Sequence, residues 1–194
     1  PANSQGIGLP GQVGDKPLEI NAENGIEWQQ RTKTYIARGN ARAAQGNVAV
    51  HADILTAYYR ERPGGRTEIW RINAERKVRI ITPSQRAYGD NGVYDVDSGV
   101  LVLTGNVSLD TETDRITARD SLEYQEKSSL AVARGNALAI RGDNRLRADL
   151  LRAHFEKDNK GQARVRHIEA FDNVVITTPE EIVRSNRGKY DVKT

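Results

Sequence analysis

Cysteine is absent from all 194 residues, which excludes disulfides, thiolate metal sites and a cysteine nucleophile. Methionine is absent too, even at position 1, so the chain is read as a processed one. Its Gly- and Pro-rich opening, residues 1–16, is expected to be a flexible lead such as follows a removed secretory signal. No apolar run approaches the roughly 18 residues of a membrane-spanning helix, and hydrophobic residues make up only 37%. Lys and Arg (29) barely outnumber Asp and Glu (26), and the two signs are interleaved, so no nucleic-acid partner is indicated.

The motifs of bond-making chemistry are missing as well. There is no G-x-S-x-G elbow, P-loop or G-x-G-x-x-G. GDNG (89–92) and GDN (142–144) resemble pieces of a calcium loop but lack its ligand pattern. The three histidines are His51, His154 and His167, and the first two fall on the solvated parity near repeat corners. No catalytic residue, cofactor or metal site is expected, and the chain is read as a non-enzyme.

What the chain does contain is itself, twice. ARGNARAAQGNVAVHADILTAYYRE (37–61) returns as ARGNALAIRGDNRLRADLLRAHFEK (133–157), 96 positions later. The same shift aligns 20–98 with 116–194 without a gap, and about a third of the 79 pairs are identical. Such a tandem duplication predicts a stack of similar units that share one interior, because a single short unit has too little apolar surface to fold alone.

The units are strands. ILTAYY, VRIIT, VLVLTGNV, LAVA and VVITT are short, β-branched or aromatic, and bounded by Gly, Asn, Asp or Pro. No window sustains a helical apolar stripe. VDSG (96–99) and PGG (63–65) read as hairpin tips, joined by the polar tip EKDNKGQA (156–163). Gly39, Gly105 and Gly135 each precede an Asn, and Asn24, Asp90 and Asp120 lie 16 residues before those Asn. This pattern predicts corners that need positive φ, with Asp53, Asp90, Asp120 and Asp149 serving corner hydrogen bonds rather than a cation.

Strand side chains alternate, so parity sorts them into two faces. One face collects apolar residues, among them the small Ala41, Ala43, Ala57, Ala137, Ala139 and Ala153; the other is largely Arg, Glu, Thr, Gln and Lys. Stacked antiparallel strands with one apolar face each would enclose an apolar seam. Periodicity alone leaves open whether that seam is a packed core or a partly unfilled channel.

The order PLEINAENGIEW, YIARGNARA, HADILTAYY, INAERKVRI, YGDNGVYDVDSGVLVLTGNV and RADLLRAHF resembles the OstA-like family of lipopolysaccharide-transport proteins. The resemblance covers residues 17–194, read as one domain whose pattern would continue into a further strand beyond YDVKT. It implies an all-β, open twisted β-jellyroll in the periplasm. A long groove would hold the lipid A acyl chains of lipopolysaccharide and carry them from inner to outer membrane. Mapped onto the apolar parity, the groove would be lined by Ile26, Trp28, Leu55, Tyr59, Val78, Ile80, Tyr94, Leu109, Leu122, Tyr124, Leu151, Phe155, Val174 and Ile176. The partners it implies are LptC-like and LptD-like modules docking by edge strands, and further copies stacked head to tail. An LptC or LptD N-terminal module of the same family, or a non-enzymatic β-solenoid with a packed interior, would share the repeats.

Overall fold

A computed structural model describes residues 18–157 and 163–191; residues 1–17, which include the expected lead 1–16, the tip 158–162 and the last three residues, Val192 among them, lie outside the described residues. Fourteen strands and no helix make up the described chain. They are β1 (Glu19–Asn21), β2 (Ile26–Gln29), β3 (Thr34–Gln45), β4 (Val48–Arg62), β5 (Arg66–Ile81), β6 (Gln85–Asp95) and β7 (Val100–Thr104). After these come β8 (Val107–Thr111), β9 (Arg115–Ala118), β10 (Ser121–Gln125), β11 (Leu130–Arg141), β12 (Asn144–Lys157), β13 (Ala163–Thr177) and β14 (Ile182–Asp191). All pair antiparallel in one sheet, with the main path β1-β3-β4-β5-β6-β7-β10-β11-β12-β13-β14.

The sheet is bent along its middle into two walls. Each long strand crosses the bend, while β1 and β2, β7 and β8, and β9 and β10 are broken there, one piece in each wall. The first wall holds β1, the second half of β3, the first half of β4, and so on through β8 and β9; the second wall holds β2, β7 and β10 with the remaining halves. The duplication is visible as geometry: β3 over 34–45 and β11 over 130–141 are the same strand 96 residues apart. Their ladders agree too, with Ala41 opposite Ala52 and Ala137 opposite Ala148.

The bend is made by backbone that most residues avoid. Gly39–Asn40, Gly105–Asn106 and Gly135–Asn136 are consecutive left-handed pairs, with φ of 78 and 42°, 77 and 47°, and 87 and 47°. Two such residues in a row insert a bulge, and the ladder slips there, between Arg38 and Ala41 and between Arg134 and Ala137. The equivalent corners at Arg76–Lys77 and Asp172–Asn173 are also left-handed but carry no glycine. On the adjoining strand each corner meets an Asn or Asp, as the spacing predicts. Asn24 and Asp120 pack on Gly39 and Gly135, Asp53 lies 3.6 Å from both Arg76 and Lys77, and Asp149 accepts from Asn173 at 2.7 Å.

Side chains from both walls meet inside. Alanine gathers beside the corners, where Ala41 and Ala137 are fully buried and Ala52 and Ala148 nearly so. Walls diverging from a bend leave little room there, which favours small side chains. Leu103, Leu109, Val78 and Val174 are the largest fully buried side chains.

Candidate functional site

The interior between the walls is apolar along its length and is not completely filled. Near β1 and β2 a cavity of about 300 Å³, open mouth included, is lined by Leu18, Ile20, Ile26, Tyr35, Leu55 and Ile72, with Ala37, Ala43 and Ala57. Midway, a narrow gap, about 370 Å³ with its open mouth and the space between atoms included, lies between Ile80, Ala87 and Leu109 of the first wall and Leu101, Leu122, Tyr124 and Ala131 of the second. Toward β14 the space widens, to about 560 Å³ with its open mouth included, between Ile116, Ala139, Leu146 and Ile176 on one side and Val165, Ile168 and Tyr190 on the other. These three cavities share no lining residue. Of the alanines expected at the seam, Ala43, Ala57 and Ala139 contribute here: they end short of the middle and leave the space unfilled.

Polar groups are few. Arg141 donates Nε and Nη2 to the carboxylate of Asp114 at 2.5 and 2.6 Å, at the edge of the cavity near β14, the largest of these three. That hydrogen bonding holds the guanidinium above its ordinary pKa. Tyr94 donates its hydroxyl to Glu126 at 3.2 Å, and burial, reinforced by that carboxylate, pushes the phenol well above the usual range. The amide oxygen of Gln85, at the middle cavity, is buried without a hydrogen-bond partner.

The fourteen residues assigned to a groove are not equivalent. Leu55, Tyr59, Val78, Ile80, Tyr94, Leu109, Leu122, Tyr124, Leu151 and Val174 are buried between the walls. Phe155 and Ile176 are partly buried against them, Phe155 edge-on to Tyr124 at 6.0 Å. Of these, Leu55, Ile80, Leu109, Leu122, Tyr124 and Ile176 border a cavity. Val78, Val174 and Leu151, one or two positions from a corner, sit in the narrow angle instead.

Ile26 and Trp28 differ from the rest: they are 49% and 56% exposed. Both stand on β2, which pairs with β3 alone, so half of each side chain has no neighbour. Trp28 is nonetheless placed, stacked on Tyr35 at 6.1 Å and donating Nε1–H to the Tyr59 hydroxyl at 2.8 Å. The lining of the largest cavity went mostly unassigned from sequence. Ile116, Leu146 and Ile168 alternate in phase with the apolar set, and that was the available signal. Asp114 and Arg141 are 27 residues apart, and nothing in their spacing announces the pair.

Known proteins share these features. The family model described as LptA/(LptD N-terminal domain) LPS transport protein matches residues 19–120 and again 115–194. The second match begins where the duplication does, at β9. An uncharacterized protein of Rhizobium meliloti (strain 1021) is 27% identical over 115 residues, covering 57% of this chain and 61% of that protein. The chain therefore spans about three fifths of the length of this curated relative. Among solved structures, LptH of Pseudomonas aeruginosa is described as the LptA homologous periplasmic component of the conserved lipopolysaccharide transport device. It superposes with a TM-score of 0.53 at 15% identity, over 62% of this chain and 83% of that one. The shared fold is the β-jellyroll.

Proposed function

The chain belongs to the LptA/LptD N-terminal-domain family of LPS transport proteins, and on that premise we propose that it is a periplasmic bridge component that carries lipopolysaccharide from inner to outer membrane. The acyl chains travel between its two walls. The observation that carries this reading is the row of apolar cavities between the walls, which widens toward β14.

Each methylene left in water costs about 0.8 kcal/mol, so a fatty-acyl chain needs cover at every step of a crossing. A duplicated wall offers the same cross-section at successive rungs, so no single rung traps the chain. The walls are joined covalently only at the corners. Away from the corners the contact between them is side chain on side chain, and an acyl chain replaces those contacts with its own. Gln85, buried and unpaired, supplies an acceptor for a hydroxyl or amide on the lipid. A transport role of this kind involves no bond-making step, and direction must come from an energy source outside the chain.

Partners follow from the ends of the sheet. β1 and β2 pair only with β3, and β14 only with β13, so each end presents strand edges among the described residues. LptC-like and LptD-like modules, or a second copy of this chain, would add their strands there.

The test is photo-crosslinking to lipopolysaccharide from Leu109, Tyr124 and Ile168 inside, with Ser108 and Thr117 on the outer face as controls. Labelling from the three interior positions and not from the outer pair is expected. Labelling from the outer pair alone would replace the channel with a packed, structural jellyroll.

A further inference from the structure

Outside the interior, one side-chain group stands apart from the Arg, Lys and Glu that cover the walls. On the outer face of the second wall, His154 of β12 is registered directly opposite His167 of β13. The two imidazoles stack with centroids 4.2 Å apart and an interplanar angle of 19°. Glu169, two residues on and therefore on the same face as His167, brings Oε2 to 3.1 Å from Nε2 of His154. One ligand atom from each of the three residues lies within 4.8 Å of the others.

We propose that His154, His167 and Glu169 form a binding site for a zinc-class divalent cation, clipping β12 to β13. The proposal lies beyond lipid carriage and does not depend on it.

The donor set selects the metal. Two imidazoles and one carboxylate suit zinc, at about 2.0–2.2 Å from each donor, whereas magnesium and calcium take oxygen ligands almost exclusively. Tetrahedral bonds of that length place donor atoms roughly 3.4 Å apart. The His154–Glu169 pair is already at that spacing, and rotation of the His167 ring closes the remainder. Side chains of His154 and Glu169 are each 34% exposed, so an ion enters without the walls moving, and water completes its shell.

Neighbouring positive charges are already engaged. Lys189 of β14 is held by Asp191 at 3.3 Å, and Arg152 rests over the ring of Phe171 at 5.4 Å. Arg166 lies 3.9 Å from Glu156.

The duplication provides an internal comparison. Shifted by 96 residues, His154, His167 and Glu169 fall on Tyr58, Arg71 and Asn73. There the same rungs are present, with Tyr58 opposite Arg71, and Arg71 donates to Asn73 at 3.0 Å. The scaffold is common to both copies, and only the second carries three metal donors on it. One ion per chain follows.

The experiment uses the full chain without a histidine tag, stripped with chelator and titrated with zinc chloride by calorimetry near neutral pH. About one saturable equivalent is expected for Zn²⁺ and none for Mg²⁺. His154→Ala, His167→Ala and Glu169→Gln should each weaken uptake at least about tenfold with unchanged circular dichroism, while His51→Ala leaves it unaltered. In imidazole NMR spectra, the His154 and His167 resonances should move and those of His51 should not. Absence of saturable uptake overturns the site, as does uptake that survives His154→Ala and His167→Ala.

Discussion

The side chain of Asp120 occupies the space in which a Cβ on Gly135 would stand, and one repeat earlier Asn24 does the same at Gly39. Glycine is required twice over at this corner, by a φ of 87° and by the neighbour packed on its bare Cα. Gly135→Ala should therefore cost about 2–4 kcal/mol, the left-handed penalty plus displacement of Asp120. Gly142→Ala is the control: it has positive φ but open space around it, and about 1 kcal/mol is expected. Urea midpoints measure both, and equal losses would show that the Asp120 contact contributes nothing.

Interior positions should separate stability from carriage. Leu103 is fully buried, and Leu103→Ala should cost about 3–5 kcal/mol through the cavity it leaves. Ala139 borders the largest cavity, where extra methyl groups have somewhere to go. Ala139→Leu should stay within about 1 kcal/mol of the native protein while lipopolysaccharide crosslinking from Ile168 falls severalfold. Unchanged crosslinking would place the lipid elsewhere.

The Asp114–Arg141 pair, where β9 and β11 adjoin in the first wall, is the least exposed ion pair among the described residues, with side chains 14% and 31% exposed. Removing one partner leaves a charge that water reaches poorly, so Asp114→Ala should cost roughly 1–3 kcal/mol. Asp110→Ala, which breaks the more exposed pair with Arg115, should cost under about 1 kcal/mol. A double-mutant cycle with Arg141→Met tests whether the coupling is real; additive effects would deny it.

Acid should loosen the tips of the second wall first. Glu68 accepts from Arg62 and Arg60, which draw its pKa from 4.5 down to about 2, and Asp97 is lowered through its bond from Arg60. A carboxylate whose folded pKa lies below its unfolded one adds stability above the unfolded value and loses it as pH falls toward the folded one. The loss thus falls between about pH 4.5 and 2. Urea midpoints across that range at low salt should fall less steeply for Glu68→Gln than for the native chain. Parallel curves would remove Glu68 from the acid response.

Much of this architecture is legible in the residues, for physical reasons. A Gly followed by Asn at a fixed distance from an Asn or Asp spells a left-handed corner, because few other residues tolerate that backbone. Alternation identifies the buried face wherever the opposite face is polar, as on β4 and β12. Along β7 the run VLVL is apolar at every position, and parity has nothing to choose between. Nothing in the sequence therefore separates Leu101 and Leu103, both buried, from their neighbours. Parity also does not say how well a residue is covered: Ile26 borders the cavity near β1, yet it and Trp28 are half exposed because β2 has only β3 beside it. Nor does it say how far apart two walls stand, so the cavities and their widening toward β14 become visible only in three dimensions. The pairing of His154 with His167 was hidden likewise: their register depends on the hairpin between them.

Because every rung is hydrogen-bonded only to the rungs beside it, the molecule is cooperative in one dimension. The inner rungs are held on two sides and the outermost on one, so opening starts at the ends and advances inward like a zip. Amide exchange should therefore be slowest around β6 and β11 and fastest in β1, β2 and β14. A partner strand added at either end changes this by turning a terminal rung into an interior one. Assembly and local rigidity are then the same event, and a chain is stiffest when it is part of a longer row.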